Sequence, residues 1–287
     1  MVATSTLIEV AVDGIAFGMF LAILGVGITL VFGLGEVLNL AIGSFAIIGM
    51  IVAHFMVNTV GVGFAPAFIV GVLAVGILAV AVDRSLLSLV YQSEGEERIL
   101  LGIFVTLGLA ILLEGVFTVI FPERYSLSLG LPNVTPFGLR IPTASLFVIA
   151  VGAVVLAVLF AFLRGTFLGK ATRTVFQDEV GARLSGVDPR RMRALVFVLS
   201  ALVAAIAGVA YGTTATLWVE RGFRFTIFAL IVAIVGGVRS LEGTALAGLI
   251  LGVIATYASF FVGAYLAAVI LFMTAVVIIL VRPVVGE

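Results

Sequence analysis

Residues 144–163 read ASLFVIAVGAVVLAVLFAFL, twenty consecutive positions without a charged side chain. A helix needs about 20 apolar residues to cross the hydrocarbon core of a bilayer. The whole chain of 287 residues follows this pattern, with 63% hydrophobic and 10% charged side chains. Since a soluble domain has about 25% charged residues, the composition excludes a water-soluble enzyme, a nucleic-acid-binding protein and a disordered chain.

Nine apolar runs of this kind follow one another along the sequence. They cover residues 14–32, 37–57, 64–82, 99–121, 143–163, 194–219, 225–238, 241–262 and 265–281. Strands of a transmembrane barrel alternate in polarity over about ten residues, which these runs do not. The run 225–238 is short for a complete crossing. The sequence therefore predicts an all-α, polytopic bundle of eight or nine transmembrane helices, with residues 1–287 forming one domain.

The basic residues predict how this bundle is oriented. Seven of the fifteen Lys and Arg residues lie in the segment 164–193. Short loops rich in Lys and Arg remain in the cytoplasm, so we expect this segment there. With nine spans, eleven basic residues lie inside, and the N-terminus is outside. The four basic residues expected outside are Arg124, Arg140, Arg221 and Arg224.

The sequence offers no constellation for catalysis or metal binding. It contains no Cys and one His, His54, which lies near the end of a predicted span. A phosphate-binding loop needs G-x-x-x-x-G-K-[ST]. The segment 165–170 is one residue too short for that motif, and Ala171 follows where Ser or Thr is required. We therefore predict no enzyme activity, no catalytic residue, no metal site and no cofactor bound by this chain.

The segment 164–193 contains the most polar stretch of the chain and one predicted helix. Residues 171–185 contain no Pro, and their larger apolar side chains recur at near-helical spacing. These side chains are Val175, Phe176, Val180 and Leu184. Gly186 is placed as a C-cap, and Pro189 prevents continuation. The pattern predicts a short surface helix, which is either a solvated loop helix or a helix that docks into another protein.

Four motifs in this chain carry a resemblance to a known family. They are LGKATRTVFQDEVGARLSGVDPRR at 168–191, AGVAYG at 207–212, NLAIG at 39–43 and VGGVRSLEG at 235–243. Arg282 and Pro283 near the end also fit the pattern. In this order the motifs closely resemble the permease subunits of branched-chain amino-acid ABC importers. The match departs from the family at Arg239, where a glycine is usual, and at Ile42, where a histidine is usual.

The resemblance implies an assembly in the plasma membrane of a prokaryote. Two cytoplasmic ATPase subunits would use ATP and Mg²⁺, a second, different permease subunit would complete the path, and an external binding protein would deliver a branched-chain amino acid. Urea, short amides and sugars remain alternative cargoes. The loop helix would insert into a groove on an ATPase. Its coupling residues would be Gly169, Arg173, Asp178, Glu179, Ala182 and Gly186.

Two glycine-rich breaks, at 33–43 and 236–243, are predicted to line the translocation path, because irregular backbone often lines a transporter cavity. The candidate residues are Asn39, Gly43, Gly236 and Gly237. The alternative is that small residues serve close helix packing.

Glu114, inside an apolar span, is also a candidate for the translocation path. It binds a substrate ammonium group, relays a proton or is neutral between helices. An ion-coupled carrier that uses Glu114, or a membrane scaffold, remains an alternative function.

Overall fold

The computed structural model describes residues 4–93, 95–135 and 141–281, and its regular elements are helical apart from two isolated β-bridges. The helices are α1 (Thr4–Gly35), α2 (Ile42–Phe55), α3 (Phe64–Val82), α4 (Ser88–Val90), α5 (Gly95–Ile120), α6 (Thr143–Gly165), α7 (Phe167–Gln177), α8 (Glu179–Leu184), α9 (Pro189–Tyr211), α10 (Arg221–Gly236) and α11 (Leu241–Val281). π-Helical turns extend α2 over Met56–Val60 and α3 over Asp83–Leu87. The predicted all-α class is confirmed. Arg140, Arg282 and Pro283 lie outside the described residues.

Seven helical stretches of the described residues are long and apolar enough to cross a membrane. They are Thr6–Gly33, Ile42–Val60, Phe64–Val90, Gly95–Ile120, Thr143–Gly165, Pro189–Tyr211 and Leu241–Ile278. The 16 residues of α10 extend about 24 Å at 1.5 Å per residue. Because a bilayer core is about 30 Å thick, α10 is short for a span, as the run 225–238 predicts.

The last long stretch is two helices rather than one. Gly263 has φ 84° and ψ 164°, a left-handed, non-helical conformation that favours glycine. Val277 nevertheless lines one groove with Gly243 and Leu246, although a straight helix would separate Gly243 from Val277 by about 51 Å. The second half of α11 therefore runs back along the first, which agrees with separate predicted spans at 241–262 and 265–281.

One predicted boundary is wrong. The run 194–219 ends as a helix at Tyr211, and the chain then turns. The backbone N of Leu217 donates to Tyr125 O at 2.7 Å, and the hydroxyl of Thr213 donates to a carbonyl of the last helical turn. Such side-chain bonds to nearby carbonyls compete with helix continuation. We name the end of the bundle that carries the segment 164–193 the basic end. The turn after Tyr211 lies at the opposite end.

The centre of the bundle is α1. Its side chains Phe20, Leu21 and Leu24 are completely buried. The first half of α11 crosses α1 closely, because a Cβ added to Gly252 would lie 2.1 Å from the Cα of Gly18. Gly14 and Gly18 on α1, and Gly248 and Gly252 on α11, have the spacing G-x-x-x-G. This spacing serves close packing between two helices of this chain.

Candidate functional site

The helix predicted over 171–185 is two helices in the structure. Between α7 and α8, Asp178 has an extended backbone with φ −154° and ψ 99°. Its carboxylate accepts a hydrogen bond from Gly181 N at 2.9 Å, which caps the first turn of α8. The prediction of one continuous helix is therefore wrong, because an Asp at an N-cap stabilises a new helix start more than it stabilises a helix interior.

The end of α8 follows the prediction. Gly186 has φ 80°, its N donates to Arg183 O at 3.0 Å, and Val187 N donates to Ala182 O at 2.9 Å. These two bonds form a Schellman motif, which needs a left-handed residue at this point. Pro189 then begins α9. The predicted stop at Gly186 is confirmed, and it fixes a sharp change of direction between α8 and α9.

Two of the predicted coupling residues lie on the inner side of this segment. Gly169 N donates to the Thr166 hydroxyl at 3.1 Å, so Thr166 caps α7. A Cβ added to Gly169 would lie 2.5 Å from the carbonyl oxygen of Phe162. Ala182 is completely buried beneath α8. Both positions hold α7 and α8 closely against the bundle, where a larger side chain would not fit.

The outer side of the segment carries apolar side chains among charged ones. Val180 and Leu184 are 65% and 86% exposed, and their i, i+4 spacing places them on one face of α8. Arg173 and Asp178 are exposed on the same segment. Val175 is 4% exposed, so the break at Asp178 divides the predicted apolar face into a buried part on α7 and an exposed part on α8.

Glu179 anchors α8 to the membrane helices. Its Oε2 lies 2.5 Å from Arg193 Nη2 on α9 and 3.6 Å from Arg98 Nη1 on α5. Its Oε1 lies 2.6 Å from Arg183 Nη2. The hydrogen bond from Arg193 lowers the pKa of Glu179 below its ordinary value, and the positive charges of Arg98 and Arg183 act in the same direction. The carboxylate therefore stays ionised and holds α8 against α9.

Sequence reasoning missed Arg98 and Glu36 as members of this cluster. Arg98 is 3% exposed, and its Nη1 lies 2.9 Å from Glu36 Oε2. Its Nε donates to Ser93 O at 2.8 Å. A buried guanidinium needs such partners. The sequence indicates the site weakly, through an arginine directly before the apolar run 99–121.

Asn39 lies in the link between α1 and α2 and is completely buried. Its Oδ1 accepts a hydrogen bond from Ala41 N at 3.1 Å, whereas its Nδ2 has no partner among the described residues. Thr106 on α5 secures the link on both sides, since its hydroxyl donates to Leu38 O at 2.7 Å and accepts from Leu40 N at 3.1 Å. The link is therefore fixed to α5, while one buried amide group remains available.

The glycines predicted for the path are positions of close packing. Gly43 N donates to the Thr226 hydroxyl at 3.0 Å, and a Cβ added to Gly43 would lie 1.9 Å from Gly222 O. A Cβ added to Gly236 would lie 2.3 Å from the Cα of Thr244. These contacts join α2 to α10 and α10 to α11, so the glycines permit helix contact whether or not they also line a path.

The two predicted breaks meet at the basic end. The link from α10 to α11 passes through Gly237, which has φ 100°, a conformation that favours glycine. A Cβ added to Gly33 would lie 3.2 Å from Val238 O. One turn deeper, the hydroxyls of Thr29 and Thr244 form a buried hydrogen bond of 2.9 Å. Both predicted helix breaks are therefore present in the structure, and the two links pack against each other.

Glu114 lies apart from these residues. It lines an open groove of about 550 Å³ together with Glu220 and apolar side chains that include Ile111 and Phe223. The groove faces away from the core, and Glu114 is partly exposed. The structure therefore does not bring Glu114 together with Asn39, and its side chain is not enclosed between helices of this chain.

Comparison with known proteins identifies the family. Residues 10–281 match the family model described as the permease component of branched-chain amino acid transport systems. The chain belongs to this permease family. The permease is 27% identical to LivH, a high-affinity branched-chain amino acid transport permease of Escherichia coli K12, over 94% of this chain and 92% of that protein. BraD of Pseudomonas aeruginosa, named for the same transport, is 25% identical over 95% and 92%.

Two further proteins are similar to the permease, one in sequence and one in fold. LivM of Escherichia coli K12, another high-affinity branched-chain amino acid transport permease, is 26% identical over 84% of this chain and 61% of that protein. PsaBC from Streptococcus pneumoniae, solved in complex with Fab, matches with a TM-score of 0.51 and 16% identity over 96% of this chain and 91% of that chain. At that identity, the second match supports the fold alone.

Proposed function

We propose that the permease forms, with a second and different permease subunit, the membrane part of an ATP-driven importer for branched-chain amino acids. The importer lies in the plasma membrane of a prokaryote. Two ATPase subunits bind the basic end in the cytoplasm and use ATP and Mg²⁺, and an external binding protein delivers the amino acid. The names of the relatives support this cargo, and the positive charge of the segment 164–193 supports the orientation.

The observation that carries this proposal is the apolar face of α8. Val180 and Leu184 are exposed, although they lie on a polar segment at the basic end, outside the stretches that could cross a membrane. Apolar side chains rimmed by charges mark protein interaction sites. Arg173 and Asp178 supply charges of both signs beside them. We assign this face, together with these charges, to the ATPase contact.

The attachment of α8 supports a role in transmitting movement. Glu179 is bonded to Arg193 on α9 and lies 3.6 Å from Arg98 on α5. Arg98 continues the chain of ion pairs to Glu36 in the link between α1 and α2. A force on α8 therefore reaches two membrane helices and one helix break through direct contacts, without crossing a flexible loop.

We place the translocation path beside the meeting point of the two breaks. Asn39, within the first break, offers a buried amide that can bond a polar substrate without the cost of a buried charge. Gly43 and Gly236 allow the surrounding helices to approach closely, and Gly237 provides the positive φ at the link from α10 to α11. The predicted role of Glu114 in the path stays a prediction, because its groove lies elsewhere on the bundle.

The test is reconstitution of the permease with its second permease, the ATPases and the binding protein in proteoliposomes. We expect uptake of radiolabelled leucine that requires ATP. Leu184→Asp should remove most of the ATPase from the purified complex and most of the uptake. The matched control is Leu131→Asp, because Leu131 is 62% exposed in the segment that follows α5 at the opposite end.

Each part of the proposal has an outcome that refutes it. Uptake of leucine without ATP, driven by a proton or sodium gradient, would establish an ion-coupled carrier. Uptake of urea, short amides or sugars in place of leucine would overturn the cargo alone. Full ATPase binding by the Leu184→Asp variant would remove α8 from the contact while leaving the importer intact.

A further inference from the structure

A cavity of about 530 Å³ at the opposite end is not used by any step proposed above. It lies between α1, α6, α11 and the turn after α9. Asp13 is the one charged side chain among the described residues that line it, and its Oδ1 accepts a hydrogen bond from Ser145 Oγ at 2.6 Å. Ser145 is 2% exposed, whereas Asp13 is exposed. The cavity thus holds a carboxylate that is bonded on one side by a buried hydroxyl and exposed on the other.

The hydroxyl groups around Asp13 make the cavity rich in hydrogen-bond acceptors. Besides Ser145, three of the lining hydroxyls already donate to backbone carbonyls at 2.7–2.9 Å, and they are those of Thr213, Thr214 and Thr256. Each retains lone pairs but no free proton. A ligand with several donors therefore fits this lining. An anion would meet the carboxylate and could accept only from the hydroxyls of Tyr211 and Ser259, which also line the cavity.

Two aromatic rings favour a cation in the same place. Phe17 and Tyr211 line the cavity with ring centroids 5.6 Å apart, and Phe20 is stacked on one face of Tyr211 with centroids 4.4 Å apart. An open aromatic face attracts organic cations. A metal ion fits less well, because no three His, Cys, Asp or Glu side chains come together in the described part of the chain. Ala16, Ala144 and Ala255 complete the wall with apolar surface.

We propose that this cavity binds a primary ammonium group, with Asp13 as its counter-ion and the rings of Phe17 and Tyr211 beside it. An ammonium group has three donors and no acceptor, which matches the acceptor lining. The inference rests on the proposed function for its biological ligand: the amino group of an incoming amino acid at the outer surface. An aminolipid headgroup presents the same chemistry to a cavity at the membrane edge.

The test uses the purified full-length permease in nanodiscs of phosphatidylcholine. Isopentylammonium, leucine and 4-methylpentanoate are titrated, and the unfolding temperature reports binding, since a ligand that binds the folded state stabilises it. We expect isopentylammonium and leucine to raise the unfolding temperature and 4-methylpentanoate to leave it unchanged. Asp13→Asn should weaken amine binding by about tenfold or more, and Asp13→Glu should restore part of it.

Glu123→Gln is the matched control, because Glu123 is an exposed carboxylate at the same end outside the cavity. Equal amine binding by wild type and Asp13→Asn would overturn the proposal, as would binding of 4-methylpentanoate as tightly as the amine. Asp13→Glu keeps the test valid when Asp13→Asn does not fold. Adding phosphatidylethanolamine to the nanodiscs tells an aminolipid ligand from a soluble amine. If the lipid weakens the binding of isopentylammonium, the cavity takes the lipid amine. If the binding is unchanged, the cavity takes a soluble amine.

Failure of this inference is distinguishable from failure of the proposed function. Leucine uptake by the reconstituted importer without amine binding at Asp13 would reject the cavity and leave the importer standing. Asp13-dependent amine binding by a permease whose reconstituted complex takes up no leucine would reject the cargo and leave the cavity standing.

Discussion

Arg98 on α5 and Glu36 in the link between α1 and α2 form an ion pair, with Nη1 and Oε2 separated by 2.9 Å. The same nitrogen lies 3.6 Å from Glu179 Oε2 at the start of α8. Glu36 is the one non-glycine residue in the described part of the chain with a positive φ, 55°, a conformation that is uncommon for side chains of this kind. Arg98 thus connects the proposed ATPase contact to a helix break.

Replacing Glu179 should destabilise the permease. The Glu179→Gln variant loses the charge that pairs with the buried Arg193 at 2.5 Å, whereas Arg98 keeps its ion pair with Glu36. Breaking such a pair leaves uncompensated buried charge, and because Glu179 is a quarter exposed we expect a loss of about 2 kcal/mol. Thermal unfolding of the purified permease measures it. Glu97→Gln, an exposed carboxyl on α5, should leave the unfolding temperature unchanged, and an equal fall in both variants would contradict the assignment.

The stability contributed by Glu179 should depend on pH in one direction. The bond from Arg193 lowers the pKa of Glu179 below its ordinary value of 4.5. A carboxyl with a lowered pKa in the folded state stabilises fully above its unfolded pKa and loses this contribution as pH falls through the folded value. The difference in unfolding temperature between wild type and Glu179→Gln should therefore be constant from about pH 7 to about pH 5 and shrink below that. A difference that grows on acidification would refute the ion pair.

Gly181→Ala should uncouple α8. A Cβ at this position would lie 2.4 Å from Asp178 Oδ2, so the carboxylate that caps α8 must shift. Loss of an N-cap costs about 1 kcal/mol. Because α8 has only six residues, it is too short to offset this loss. We expect several-fold lower ATP-dependent uptake in the reconstituted importer. The control is Gly165→Ala, where an added Cβ meets nothing within 4 Å. Similar uptake by the two variants would show that the cap does not matter.

Gly252→Ala should loosen the centre of the bundle. The added methyl would lie 2.1 Å from the Cα of Gly18, and backbone atoms on both sides cannot yield without moving α11 away from α1. Overpacking of this kind costs about 1–3 kcal/mol. Thermal unfolding in detergent tests it against Gly115→Ala, which adds the same methyl to a membrane helix in open space. A stability equal to that control would mean that the two helices are not in close contact.

The sequence by itself determined the helical class, most of the spans and the basic end. Long apolar runs partition into a bilayer and clustered basic residues stay outside it, whatever the packing of the helices. It also located the two helix breaks and the stop at Gly186, since glycine and proline act on their own backbone. The start of a new helix at Asp178 was missed. An aspartate fits either an exposed helix position or a cap, and the hydrogen bond to Gly181 decides between them.

The tertiary structure alone decided which polar residues meet. Glu36, Arg98 and Glu179 lie far apart in the chain, and no spacing rule joins them, because their contact depends on how α1, α5 and α8 pack. The same holds for Asp13 and Ser145, which are 132 residues apart and lie 2.6 Å from each other. The glycines carried information about close approach but not about the partner helix, which is set by the three-dimensional fit of whole helix faces.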